Sequence, residues 1–250
     1  MGCAKSGTHS LATMFRNSLR ADHEPKAEVL LRLLVDANAG RINESDFRAA
    51  LVQIFDALDL DLNVSQINGF IMPALVSLYP DARYILTIRD CRSWLYSFVN
   101  YQLTMSPTAN DSAWPAFRDL RFRPRDFPHT PQDAALEAAK LYSLDAYLAY
   151  WLHHNRLVIM TAPPENLLIV PMQRLAPEAN RIAAFLGLPP GVADLRESHA
   201  HAGLYQASPV DGLDMVYLDD KLAEYEGKLI EAVAARVPKG ALDAMILEGR

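Results

Sequence analysis

The stretch that decides the fold is the amino terminus, MGCAKSGTHSLATMF, residues 1–15. Two glycines, Gly2 and Gly7, frame Lys5, and hydrophobic residues recur at helical spacing from Leu11 onwards. The backbone N–H groups of such a turn, backed by the amino end of a helix, bind an anion, and a nearby lysine adds a positive charge. The stretch therefore predicts a phosphate-binding loop that leads into a helix over residues 8–20.

The same letters allow a second interpretation, a lipid anchor. Met1, Gly2 and Ser6 match the pattern for N-myristoylation, and Cys3 could carry a second acyl chain. No dense group of lysines and arginines follows to supply the usual second membrane signal, and an acyl chain on Gly2 would occupy the loop itself. Anion binding is therefore favoured, and no stable membrane insertion is expected. The loop is not a Walker A motif, because Lys5 precedes the second glycine.

Composition limits the class of protein. The chain has 250 residues, half of them hydrophobic, which is enough for a large core and predicts a single domain over residues 1–250. Its net charge of -6 argues against a surface made for nucleic acid, so any anion site must be local. The two cysteines are far apart and have no metal-type spacing, which predicts reduced thiols, a cytoplasmic location and no metal site.

Helical and strand patterns alternate along the chain, which is typical of an α/β fold with a central, largely parallel sheet flanked by helices. Strands are predicted at residues 84–88 and 166–171. Gly187 is expected to end the helix that follows the second strand. The other helices are predicted over residues 8–20, 44–58, 72–78, 93–103, 134–154 and 217–236.

Two motifs together point to a family. The loop GCAKSGTHSL (2–11) resembles the 5′-phosphosulfate loop of the PAPS-dependent sulfotransferases, and ARYILTIRDCRSWLYSFVNYQ (82–102) resembles their second signature. In that signature a strand ends in an arginine and a serine follows eight positions later, as Arg89 and Ser97 do here. ENLLIVPMQRL (165–175) resembles the family's later strand, so the resemblance covers at least residues 1–190.

The resemblance implies a P-loop-like sulfotransferase fold in a bacterial-type or carbohydrate-type member. The implied reaction moves a sulfuryl group from 3′-phosphoadenosine 5′-phosphosulfate (PAPS) to a hydroxyl of a small molecule or glycan, by in-line displacement, and leaves 3′,5′-ADP. No metal takes part. Two alternatives stay open: a nucleotide-binding module that has lost activity, and a small-molecule kinase, although no acidic Mg²⁺-binding companion is recognisable.

Two sets of donor contacts are implied. Arg89 and Ser97 are expected to hold the 3′-phosphate, and Lys5 is expected also to stabilise the leaving oxygen. His9 stands where the family usually has a threonine, and it can still donate a hydrogen bond. The residues expected to hold the 5′-phosphosulfate are Lys5, Ser6, Gly7, Thr8 and His9.

The general base is expected in ADHEPK, residues 21–26, with Glu24 the first candidate and His23 the second. The alternative is that these polar residues only end a helix before Pro25. A strand precedes the loop in the family, and no residues before Met1 supply it here. The true start is therefore expected to lie upstream, or the chain to be truncated.

Residues 104–131 are predicted to be an inserted acceptor loop, since prolines cluster there and arginines alternate with aromatic residues. Arg121, Phe122 and Arg123 are the candidates for contact with the acceptor. The alternative is a basic strip that pairs with Asp119 and Asp126. A small-molecule or glycan acceptor is the expected partner, nucleic acid is not, and a homodimer is left open.

Overall fold

A computed structural model describes residues 1–104, 112–196, 208–234 and 236. The chain forms two compact units, one of Met1–Arg89 with Leu157–Ala202 and the other of Asp90–Arg156 with Gly203–Arg250. The single domain expected from chain length stays a prediction.

Every strand of the described residues pairs in parallel, and all four lie in the first unit. The strands are β1 (Ala21–His23), β2 (Leu62–Val64), β3 (Tyr84–Ile88) and β4 (Leu167–Pro171). β1 pairs with β2, with Ala21 opposite Leu62, and β3 pairs with β4, with Tyr84 opposite Leu167. The expected parallel arrangement is therefore present as two two-stranded sheets.

Met1 lies beside β3. Its amino group donates a hydrogen bond to the carbonyl of Ile85 across 2.6 Å, and its own carbonyl accepts one from the N–H of Thr87 across 2.8 Å. These two bonds anchor the chain immediately before the predicted anion-binding loop. The loop therefore starts from the edge of a fully buried strand.

Helices surround the strands of the first unit. They are α1 (Thr8–Phe15), α2 (Ala27–Asn38), α3 (Glu44–Leu58), α4 (Ile67–Phe70), α5 (Met72–Leu78) and α10 (Ala179–Leu186). The apolar face of α1 packs on the strands. Its apolar residues recur at helical spacing, so they share one side of the helix, and that side faces side chains of the sheets. The core cluster includes Leu11, Met14, Phe15, Val64, Ile85, Leu168, Val170 and Ile182.

The second unit is helical in its described residues. It contains α6 (Cys91–Thr104), α7 (Trp114–Phe122), α8 (Ala134–Ala138) and α11 (Met215–Val233). It also contains most of α9 (Leu144–Thr161), because the boundary between the two units falls within that helix. Large aromatic side chains form its core: Trp94, Phe98, Phe117, Phe122, Tyr147, Tyr150 and Trp151 are all buried. No helix in the described ranges is long and apolar enough to cross a membrane.

The structure corrects four expectations about elements. The first helix ends at Phe15 and does not reach Arg20, because the chain turns after Phe15. The N–H of Arg20 instead donates to the Asp61 carboxylate across 3.0 Å at the start of β1. The helix predicted over residues 134–154 is two helices, separated by a turn in which Lys140 has a φ of 57°. The elements α2, α4, β1 and β2 have no counterpart among the predicted elements. The helix predicted over residues 217–236 ends at Val233, and residue 235 of its predicted span lies outside the described residues.

The segment predicted as a loop over residues 104–131 contains the helix α7. Phe117 and Phe122 are buried on the apolar side of this helix. The aromatic residues that alternate with arginines in the sequence therefore recur on one helix face. Arg123, with a φ of 46°, ends this helix. Residues 105–111 of the predicted loop lie outside the described residues.

Candidate functional site

The loop between Met1 and α1 has the backbone of an anion-binding turn. The N–H of Ser6 donates to the carbonyl of Cys3 across 3.1 Å, which closes the turn. Lys5 and Gly7 both have left-handed backbone conformations, with φ of 67° and 86°. Gly7 is the residue from which α1 begins, so the unpaired N–H groups of the first helical turn follow the loop directly. Anions bind at helix amino termini of this kind.

Both glycines of the loop are required by close packing. A Cβ on Gly2 would lie 2.4 Å from the carbonyl oxygen and 2.5 Å from the hydroxyl of Thr87 on β3. A Cβ on Gly7 would lie 2.7 Å from Cγ of Met172 and 2.9 Å from Cδ1 of Leu175. Real Cβ atoms do not approach other heavy atoms so closely. The glycines therefore let the loop lie flat against β3 and the segment after β4.

Two cations meet at this loop. The guanidinium of Arg89, directly after β3, donates a hydrogen bond to the backbone carbonyl of Lys5 across 3.4 Å. Partial burial lowers the pKa of Lys5 below its usual value, and the positive charge of Arg89 lowers it further. The positive charge of Arg89 therefore acts on the Lys5 ammonium as well as contacting its backbone, and an anion would relieve this repulsion. The two predicted donor-binding groups, 84 residues apart in sequence, are thus brought together.

His23, at the carboxyl end of β1, contacts the start of α1. Its Nε2 lies 3.1 Å from Oγ1 of Thr8, within hydrogen-bonding distance. Its ring meets the ring of His9 nearly edge-on, with centroids 5.1 Å apart. His23 therefore supports the residues expected to hold the 5′-phosphosulfate. The alternative, in which these polar residues only end a helix before Pro25, is wrong, since residues 21–23 form β1.

Glu24 follows at the same strand end, in an uncommon backbone conformation. Its φ is 53°, and its N–H donates to the carbonyl of Val64 across 2.9 Å, which extends the pairing of β1 with β2 by one residue. Its carboxylate accepts a hydrogen bond of 2.7 Å from Nε2 of Gln66, whose side chain is buried. Sequence reasoning missed Gln66, because the contact depends on the pairing of β1 with β2 and β1 was not predicted.

Ser97 belongs to the second unit. It lies half-buried on α6, eight residues after Arg89. The spacing matches the predicted signature, and its contact with a 3′-phosphate stays a prediction.

The three predicted acceptor residues also lie in the second unit, and they differ in exposure. The side chain of Phe122 is fully buried and that of Arg121 is 7% exposed. The guanidinium carbon of Arg121 lies 4.4–5.2 Å from four ring centroids, those of Phe98, Phe117, Phe122 and Tyr150. Arg123 is exposed and lies 3.7 Å from the carboxylate of Asp126. Arg123 is therefore the member of this group that solvent can reach.

Comparison with known proteins agrees with the motifs and the fold. Residues 1–192 match the model of the family described as sulfotransferase domain. Over 97% of this chain and 96% of the other, the structure is similar to the crystal structure of a sulfotransferase from Alicyclobacillus acidocaldarius, with a TM-score of 0.52 and 15% sequence identity. A search of curated proteins finds no match. The likeness in structure confirms the predicted fold, and the family match covers well over half of the sequence. The chain belongs to the sulfotransferase family.

Proposed function

We propose that the protein transfers a sulfuryl group from PAPS to a hydroxyl group of a small molecule or glycan. The observation that carries the proposal is the meeting of Lys5 and Arg89 at a glycine-framed loop that opens into α1. PAPS is strongly anionic, and a helix amino terminus with two converging cations is suited to such a ligand.

The residues fit the donor in kind as well as in charge. Gly2 and Gly7 let the loop backbone pack closely against Thr87 and Met172, and Ser6 and Thr8 have hydroxyl groups next to the loop backbone. When bound, PAPS supplies an activated sulfuryl group. Lys5 supplies a positive charge to the oxygen that leaves, and Arg89 supplies a planar pair of donors suited to a phosphate. Ser97 is proposed to add a hydroxyl contact to the same phosphate.

Glu24 is proposed as the base for the acceptor hydroxyl. His23, the other candidate, is engaged with Thr8 and the His9 ring, and so is better suited to orient the donor loop. Glu24 is a carboxylate, which accepts a proton directly, and it lies at the carboxyl end of β1 next to His23. Ligands of open parallel α/β sheets bind at this edge.

The acceptor is proposed to contact exposed residues around Arg123. Because Arg121 and Phe122 are buried among aromatic rings, they are proposed to shape this region from beneath. A cytoplasmic location and assembly as a homodimer stay predictions.

The test is a transfer assay with the full chain. Sulfur-35-labelled PAPS is incubated with a panel of phenols, aliphatic alcohols and sugars, once with magnesium and once with EDTA. We expect labelled sulfate on an acceptor in both conditions, together with release of 3′,5′-ADP. Binding of 3′,5′-ADP without transfer to any acceptor would indicate an inactive nucleotide-binding module. In a parallel incubation that replaces PAPS by ATP, a phosphorylated product that needs magnesium would indicate a kinase. Either outcome overturns the proposal.

A further inference from the structure

We propose that Gln66 is a positioning residue for sulfuryl transfer. Its side-chain amide holds the carboxylate of Glu24 in place and keeps that carboxylate ionised. The inference rests on the proposed function, in which Glu24 accepts the proton of the acceptor hydroxyl. The observation behind it is the 2.7 Å hydrogen bond from Nε2 of Gln66 to Oε1 of Glu24.

The strand pairing explains why these two residues meet. β1 and β2 are parallel, with His23 opposite Val64, so their carboxyl ends lie at one edge of the sheet. The N–H of Glu24 continues the pairing by donating to the carbonyl of Val64. Gln66 follows Val64 by two residues and directly precedes α4. Both side chains are therefore held by backbone that hydrogen bonds already fix.

The backbone around Glu24 is strained. Glu24 and Lys26 have φ of 53° and 54°, and they flank Pro25. Side chains with a Cβ rarely adopt this left-handed conformation, and strained residues of this kind cluster at functional sites. The turn directs Glu24 away from an ordinary strand path and towards Gln66, so the structure holds the carboxylate in one place.

The chemistry of the pair settles which way the amide faces. A carboxylate only accepts hydrogen bonds, so the amide nitrogen of Gln66, not its oxygen, must face Glu24. Gln66 is 6% exposed, and a hydrogen bond to an ionised group is stronger in such a site than in water. Donation from the amide favours the ionised form of Glu24, which is the form that accepts a proton.

Asp22, His23 and Lys26 are the titratable neighbours of Glu24 along the chain, and the loop side of the site adds Lys5, His9 and Arg89. None of them is altered by a change at Gln66. A change in the titration of Glu24 on substitution of Gln66 therefore reports the amide itself.

The experiment compares Gln66→Met, Gln66→Glu and the unmodified protein. Methionine keeps the length of the side chain and removes the donor, while glutamate replaces the donor by a second carboxylate. Asn68→Leu is the matched control, since Asn68 is a buried amide on α4, the helix that Gln66 directly precedes, and its side-chain nitrogen donates to Asn63. The carboxyl titration of Glu24 is followed by ¹³C NMR in protein labelled at glutamate, which requires no turnover.

We expect the midpoint of the Glu24 titration to rise by about 1 pH unit in Gln66→Met, and further in Gln66→Glu because of like-charge repulsion. With the active enzyme, the acid limb of kcat/KM should move in the same order. In Gln66→Met, kcat at neutral pH should fall about 10-fold with an unchanged KM for PAPS.

An unchanged midpoint in a folded Gln66→Met variant overturns the inference. So does an equal rise in Asn68→Leu, since a general change in packing would then explain both. If the NMR midpoints follow the expected order but the unmodified protein transfers no sulfate to any acceptor, the proposed function fails, and the hold of Gln66 on Glu24 is supported independently of it.

Discussion

Arg89 donates a hydrogen bond to the backbone carbonyl of Lys5 across 3.4 Å, and this contact joins the end of β3 to the amino-terminal loop. Its consequence is electrostatic. Burial, together with the charge of Arg89, lowers the pKa of Lys5, so the site gains stability when an anion neutralises the pair. An overall acidic protein thus has a local cationic site.

Replacement of Lys5 tests the role of its charge. We expect Lys5→Ala to lower kcat by about 10²- to 10³-fold, because the oxygen that leaves loses its positive partner. Lys5→Gly should lose as much activity although glycine suits the φ of 67° at this position. Steady-state kinetics with PAPS measure both, and Lys228→Ala, an exposed change in the second unit, is the control. Activity in Lys5→Gly close to that of the unmodified protein would assign the effect to backbone strain.

Replacement of Arg89 tests the 3′-phosphate assignment. Arg89→Ala should weaken binding of 3′,5′-ADP about 10- to 100-fold and leave binding of adenosine 5′-monophosphate, which has no 3′-phosphate, nearly unchanged. Isothermal titration calorimetry measures both affinities. Arg32→Ala, an exposed arginine of the same unit paired with Glu28, should change neither. Equal weakening of the two nucleotides would contradict the assignment.

Substitution of two glycines distinguishes the cost of close packing from the cost of backbone strain. Gly7 and Gly40 have φ of 86° and 69°, but a Cβ at Gly40 would meet nothing within 4 Å whereas one at Gly7 would meet Met172 and Leu175. Gly40→Ala should therefore lower the free energy of unfolding by about 1–2 kcal/mol, and Gly7→Ala by about 1–3 kcal/mol more. Urea denaturation gives both values. Similar losses in the two variants would show that Met172 and Leu175 can move aside.

Arg121 and Arg123 should respond differently to substitution. Arg121→Ala is expected to lower the free energy of unfolding by about 2–4 kcal/mol, because the buried guanidinium faces four aromatic rings. Arg123→Ala should change it by less than about 0.5 kcal/mol, since this side chain is exposed. If Arg123 contacts the acceptor, its loss raises the acceptor KM and leaves donor affinity unchanged. An unmoved acceptor KM would remove Arg123 from the acceptor site.

Acid should destabilise the protein through His154. Burial lowers the pKa of His154 to about 3, whereas in the unfolded chain the ordinary value is 6.5. Below pH 6.5 the unfolded state therefore binds a proton that the folded state does not bind. The free energy of unfolding falls as pH decreases from 6.5 to 3, by up to about 1.4 kcal/mol per pH unit.

The measurement is urea denaturation between pH 7 and pH 4, on the unmodified protein and on His154→Gln. The variant should show a pH slope that is smaller by about one proton. His129→Gln, at an exposed histidine, is the control variant. An identical slope in His154→Gln would place the acid sensitivity elsewhere.

Local patterns were enough to predict several elements. α3, α5 and β3 have the predicted bounds, and Gly187 ends α10 with a φ of 78°. These elements depend on hydrophobic periodicity and on the conformational freedom of glycine, which are properties of neighbouring residues. The two glycines around Lys5 likewise predicted the loop, and the resemblance of residues 2–11 and 82–102 to known signatures indicated the family.

Tertiary structure decided the rest, because it depends on contacts between distant residues. β1 has three residues and carries no periodicity of its own; it is a strand because β2 pairs with it, and only that pairing brings Gln66 to Glu24. The predicted loop around Arg121 is a helix because four rings from three helices cover its guanidinium. Sequence determined which residues could bind an anion; tertiary packing alone brought the amide of Gln66 to the carboxylate of Glu24 and the ring of His23 to the hydroxyl of Thr8.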